Sequence, residues 1–161
     1  MKAIFLFLLV LSIRDAYSQD TVSLKRIDSI VTAINYSKTK PTRDSIIQNL
    51  SNLGLAMKTY LTMIVENKQL KKYANYVYSE RVENGITLKT TGCNTFYYDQ
   101  NKLIKVEESV LSDNQSIQFQ WYYSEGKCIY HSLQSEKAES RANQLLSISG
   151  EMERKLIKYI N

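Results

Sequence analysis

Apolar and polar residues alternate most clearly in the middle of the chain, where one aromatic motif occurs twice. Phe96-Tyr97-Tyr98 and Trp121-Tyr122-Tyr123 are each followed by a three-residue polar break, then by Lys102-Leu103-Ile104 or Lys127-Cys128-Ile129. Aromatic residues suit a half-buried pleated surface, and the polar break supplies turn residues. Each copy therefore predicts an antiparallel β-hairpin.

The same alternation predicts further strands around these hairpins. Asn84-Gly85 is the strongest short-range hairpin signal, and it separates strands at about 72–82 and 86–98. Three more strands are expected at about 103–111, 116–123 and 127–133. Residues 55–66 fit either a helix or a strand. We favour a strand from about 57, because Gly54 interrupts the helical spacing and Glu66-Asn67-Lys68 resembles the hairpin break.

Apolar residues at helical spacing predict helices at both ends. The first runs from about 22 to 36, and a short second helix begins near Thr42 or Asp44 and ends at Gly54. A long amphipathic helix closes the chain from Ser135 to Asn161, with Gly150 weakening or kinking it. The expected fold class is α+β: an antiparallel β-meander of about five or six strands, with N-terminal helices and a long C-terminal helix packed on one face.

A period of two assigns side chains to the two faces of this sheet. Residues expected on the face that meets the helices include Phe96, Tyr98, Ile104, Val106, Val110, Ile117, Trp121, Tyr123 and Ile129. Residues expected on the outer face include Tyr97, Lys105, Glu107, Tyr122, Cys128 and Tyr130. A β-bulge, for which Gly92 is a suitable site, would reverse part of this assignment.

The N-terminus predicts export. Met1-Lys2 precedes an apolar run from Ala3 to Ile13, which is too short to span a bilayer as a helix. Ala16 and Ser18 supply the small residues for cleavage before Gln19. Residues 1–18 are thus predicted to be a signal peptide and residues 19–161 a single domain, located in the periplasm or outside the cell, with no transmembrane segment after cleavage.

Charge adds little to this interpretation. Loss of the leader lowers the net charge of the chain from +5 to +4, and the basic residues are spread along the sequence. Nucleic-acid-binding proteins usually concentrate basic residues on one face, so we do not expect nucleic acid as a partner.

Three tyrosines are the first candidates for a binding site. Tyr97, Tyr122 and Tyr130 are expected on the outer face, where rigid amphipathic rings make contacts with little loss of entropy. The alternative is that these tyrosines have no binding role, because tyrosine is common on exposed strands, where its ring fits the pleated surface.

Cys93 and Cys128 form a possible disulfide, since two cysteines in an exported protein usually pair. In a simple meander, however, their strands stand three spacings apart, about 14 Å, whereas bridged Cα atoms lie within about 7 Å. The hairpin pattern therefore favours unbridged thiols.

Few other residues could act in catalysis or bind a metal. His131 is the single histidine, so the sequence predicts no metal site and no cofactor. Glu108 is expected beside Ile104 and Val106 on the inner face, which makes it the most unusual polar residue. Ser124-Glu125-Gly126-Lys127 and Ser112-Asp113-Asn114 match two motifs of penicillin-recognising serine enzymes, but their order is reversed and the third motif is missing.

The paired hairpin units resemble those of small, uncharacterised exported bacterial proteins with tyrosine-rich hairpin repeats. The resemblance covers about 40 residues and implies export and an antiparallel sheet, without an activity.

The sequence favours a binding or interaction module. Its ligand would be a protein, a glycan or a small apolar molecule, held on the outer sheet face or in a cleft between the sheet and the closing helix. A structural envelope component or an inhibitor of a secreted enzyme is one alternative. An enzyme with an unfamiliar site near His131 and Glu108 is the other.

Overall fold

The computed structural model describes residues 21–50, 55–112 and 115–160, and the chain divides into two compact units between Tyr36 and Ser37. In the first unit, helix α1 spans residues 21–35 and buries Ile27, Val31 and Ile34 at helical spacing. This confirms the first predicted helix. The predicted signal peptide, residues 1–18, lies outside the described residues.

The second unit contains a seven-stranded antiparallel sheet and one long helix. The elements are β1 (Thr42–Leu50), β2 (Leu55–Glu66), β3 (Gln69–Glu83), β4 (Ile86–Asp99), β5 (Lys102–Ser112), β6 (Gln115–Ser124), β7 (Lys127–His131) and α2 (Ala138–Ile160). The strands lie in the sheet in chain order. The α+β class, the meander, the strand at residues 55–66 and the long C-terminal helix are therefore confirmed.

The predicted second helix is wrong, because Thr42–Leu50 forms strand β1. It pairs with β2 along its whole length, from Thr42 opposite Met63 to Leu50 opposite Leu55. Nine residues make a marginal helix on their own, whereas pairing with β2 satisfies their backbone groups. The predicted helix end at Gly54 lies outside the described residues.

Four of the connections are two-residue turns in which both central residues have positive φ. They are Asn67-Lys68, Asn84-Gly85, Gln100-Asn101 and Glu125-Gly126. This backbone is that of the type I′ turn, whose twist matches the twist of the flanking strands. The polar breaks that predicted the hairpins are thus the turns themselves, and Glu66-Asn67-Lys68 is confirmed as a third copy.

Each of the three repeated hairpins also contains a bulge at the same place. The residue opposite no partner is the third after the turn: Lys71, Ile104 or Ile129. An extra residue reverses the side-chain alternation beyond it. Leu103 and Cys128 consequently face the core, and the predicted position of Cys128 on the outer face is wrong.

Helix α2 packs on the inner face of the sheet. Ala138, Ala142 and Leu145 contact a core that includes Phe96, Tyr98, Trp121 and Tyr123. Two hydrogen bonds fix this contact: the Tyr123 hydroxyl donates to the Ala142 carbonyl at 3.0 Å, and the Ser149 hydroxyl donates to Tyr98 Oη at 3.2 Å. Val110 and Ile117 lie farther along the strands and are exposed.

Replacing Gly150 by Ala should stabilise the protein. The helix continues through Gly150, and a Cβ atom placed there meets no atom within 4 Å. Alanine loses less backbone entropy than glycine in a helix interior, so we expect a gain of about 1 kcal/mol in the free energy of unfolding, measured by urea denaturation. A loss of stability would show that this position of α2 requires glycine.

Candidate functional site

The three candidate tyrosines lie in one row across the sheet. The register places Lys72, Tyr97, Lys105, Tyr122 and Tyr130 side by side on strands β3 to β7. The Lys72 ammonium lies 5.2 Å from the centre of the Tyr97 ring, and that of Lys105 lies 4.7 Å from the centre of the Tyr122 ring. Both contacts are cation–π interactions. The structure therefore joins the predicted tyrosines to two lysines that sequence reasoning did not connect with them.

Burial divides this row. Tyr97 and Tyr122 are only 2% and 4% exposed, so the prediction that they are accessible is wrong, whereas Tyr130 is 46% exposed. The buried Lys105 ammonium is neutralised by Glu107 at 3.1 Å, and the Tyr97 hydroxyl donates to the same carboxylate at 3.0 Å. Burial also lowers the pKa of Lys72. Most polar groups of this row are therefore paired inside the protein, and Tyr130 is the member of the row that solvent reaches.

Both cysteines are free thiols. Cys128 lies opposite Tyr123 and packs against the core, whereas Cys93 is opposite Tyr76 and Ser109 on the other face of the sheet. The reversal comes from the bulge at Ile129. Because the two side chains lie on opposite faces of the sheet, they cannot form a disulfide bond.

Glu108 and His131 have separate surroundings. Glu108 is buried and bound by the Arg141 guanidinium of α2, with Nε of Arg141 at 3.1 Å from Oε1 and a second contact from Nη2. His131 Nδ1 lies 3.0 Å from the Leu133 carbonyl, and its ring lies 5.6 Å from the ring of Trp121. Glu108 thus holds α2 on the sheet, and the structure does not bring it together with His131 in one site.

A cavity of about 680 Å³ lies between β7 and α2. Its lining residues are Gly126, Lys127, Cys128, Ile129, Tyr130, His131, Glu139, Ala142 and Asn143. Its volume falls in the range of ligand-binding pockets in proteins, about 300–1,000 Å³. The sequence anticipated a cleft between the sheet and the closing helix, but it gave no sign of which strand would form it.

The lining is nearly balanced between polar and apolar groups. Lys127 and Glu139 supply one charge of each sign, Asn143 adds an amide, and Ile129 and Ala142 supply apolar surface. Burial raises the pKa of the Cys128 thiol, which keeps it protonated and weakly nucleophilic near neutral pH. These groups are suited to binding by contact and hydrogen bonding rather than to covalent chemistry.

Sequence reasoning missed Glu139 and Asn143 as site residues. They share the face of α2 that borders β7, and this became visible only with the helix in place. The bulge had a sequence signal, since two adjacent apolar residues follow the turn in both aromatic hairpins and interrupt the alternation.

Within the described part of the chain, no group of three or more His, Cys, Asp or Glu residues could hold a metal ion. None of the described helices is both long enough and apolar enough to cross a membrane.

Comparison of the chain with protein-family models, with curated proteins and with solved structures finds no match.

Proposed function

We propose that the protein is an exported binding module whose ligand site is the cavity between β7 and α2. The observation that carries this proposal is the cavity itself, which combines a ligand-sized volume with a lining of mixed polarity. Export rests on the signal-like residues 1–18. Of the three candidate tyrosines, Tyr130 contributes to this site, because it lines the cavity and is exposed.

The rigidity of the surrounding elements supports this function. The α2 wall is fixed to the sheet by the hydrogen bond from Tyr123 to the Ala142 carbonyl and by the pair of Glu108 with Arg141. A site held in place by its supporting contacts loses little entropy when a ligand binds.

Binding can be followed through the single tryptophan of the chain. Trp121 packs against His131, which lines the cavity, so a bound ligand should change its fluorescence. We expect saturable changes with members of a panel of small fragments, oligosaccharides and short synthetic peptides.

Two tryptophan-sized substitutions on α2 distinguish the cavity from the rest of the surface. Asn143→Trp should fill the cavity and reduce affinity at least about tenfold, which corresponds to about 1.4 kcal/mol. Ser147→Trp is the matched control: Ser147 is exposed, lies one turn further along α2 and does not line the cavity. Because these variants add a second tryptophan, binding to them is measured by calorimetry. Equal affinities of the two variants, or no binding by any member of the panel, would refute the proposed site.

A further inference from the structure

The cavity follows the edge of β7 rather than one of its faces. It is lined by every residue from Gly126 to His131. Successive side chains of a strand point to opposite faces of its sheet. Cys128 points to the core side and Tyr130 belongs to the row on the other side. A cavity that touches both must run along the backbone at the strand edge.

The main chain of β7 offers hydrogen-bonding groups on this edge. Among the strands that the structure describes, β7 pairs with β6 alone. The Ser132 amide donates to the Gln120 carbonyl at 3.0 Å, so alternation turns the amide and carbonyl of His131 away from β6. In the two-residue turn, Ser124 and Lys127 form the first hydrogen-bonded pair of the hairpin. The amide and carbonyl of the next residue, Cys128, therefore also point away from β6.

We infer that the ligand of the proposed site is an extended peptide segment, which pairs with the open edge of β7 and lays side chains against α2. This inference rests on the proposed function. A peptide main chain carries the alternating donors and acceptors that a strand edge requires, and this mode of recognition recurs at exposed sheet edges. The helix face at Glu139, Ala142 and Asn143 supplies the second wall, against which alternate peptide side chains pack.

The charge of the cavity lining and the length of β7 also suit an extended peptide. The lining carries Lys127 and Glu139 and no excess of either sign, which suits a neutral main chain better than a polyanion. β7 has five residues, about 17 Å of strand, so the paired segment is about equally long.

Strand pairing can be tested with selected peptides. Short random peptides displayed on phage are selected on the full protein, and the best binders are synthesised with single N-methylated amides. Methylation of an amide that donates to Cys128 or His131 should reduce affinity about tenfold, because it removes a hydrogen bond and adds a clash. Methylation of amides that point away from β7 should be tolerated. The Asn143→Trp variant should lose binding, and Ser147→Trp should keep it.

The outcomes separate this inference from the proposed function. Peptides that tolerate N-methylation at every amide would refute strand pairing. If no peptide is selected while a fragment or an oligosaccharide binds in an Asn143-dependent manner, the peptide is the wrong ligand and the proposed site stands. Self-association in sedimentation experiments that Asn143→Trp abolishes would assign the edge to a second copy of the chain and refute the inference. If no probe of any class binds, both fail.

Discussion

Replacing Arg141 by Met should destabilise the protein by roughly 3 kcal/mol at neutral pH. The guanidinium is the counter-ion of Glu108, whose side chain is only 10% exposed. Removing one partner of a buried ion pair leaves an uncompensated charge, which costs more than the pair contributes. The loss should appear as a lower midpoint in urea denaturation with little change in the slope of the transition.

Two further variants make this prediction specific. Combining Glu108→Gln with Arg141→Met removes both charges and should recover most of the lost stability. Arg154→Met is the matched control, because Arg154 is an exposed arginine on the same helix, and its substitution should change stability by less than about 0.5 kcal/mol. A double variant no more stable than Arg141→Met would show that the arginine stabilises the fold by packing rather than by charge.

Stability should fall steeply above pH 10. Burial raises the pKa of the Tyr98 and Tyr123 hydroxyls well above their ordinary value of 10. In the unfolded chain these groups lose their protons near pH 10, whereas the folded protein keeps them. The two protonated hydroxyls therefore make their full contribution to the free energy of unfolding below pH 10. Above pH 10 this free energy falls by about 1.4 kcal/mol per pH unit for each tyrosine.

Single substitutions should identify the groups responsible for this alkaline transition. Tyr98→Phe removes one ionisable hydroxyl and should flatten the pH dependence of the free energy of unfolding between about pH 10 and pH 12. Ser149→Ala is the control, since it removes the 3.2 Å hydrogen bond to Tyr98 but leaves the hydroxyl in place. It should lower stability at every pH by about 1 kcal/mol and keep the steep slope. Equal slopes for wild type and Tyr98→Phe would contradict the assignment.

Local turn chemistry made most of the sheet predictable. The type I′ turns use residues whose positions are visible in the sequence, and the strands between them follow. Strand β1 was not predictable in this way. Its apolar residues Ile46, Ile47 and Leu50 also fit helical spacing, and its conformation depends on pairing with β2, which no local pattern reveals.

The candidate site was predictable only in part. Strict alternation placed Tyr97 and Tyr122 on the outer face correctly, but it could not show that this part of the face is buried. Cys128 was assigned to the wrong face because the bulge at Ile129 adds one residue to the count. Glu108 was recognised as unusual, while its partner Arg141 lies 33 residues away and meets it only when α2 packs on the sheet.

The chain-order arrangement of the sheet also has a consequence for the kinetics of folding. Each strand pairs with its neighbour in sequence, and several hairpins close through only two residues, so most of the sheet forms with little loss of chain entropy at each step. The contact of Ser149 with Tyr98 spans 51 residues and requires the strands between them to be in place. The sheet should therefore assemble hairpin by hairpin, with docking of α2 as the slow step.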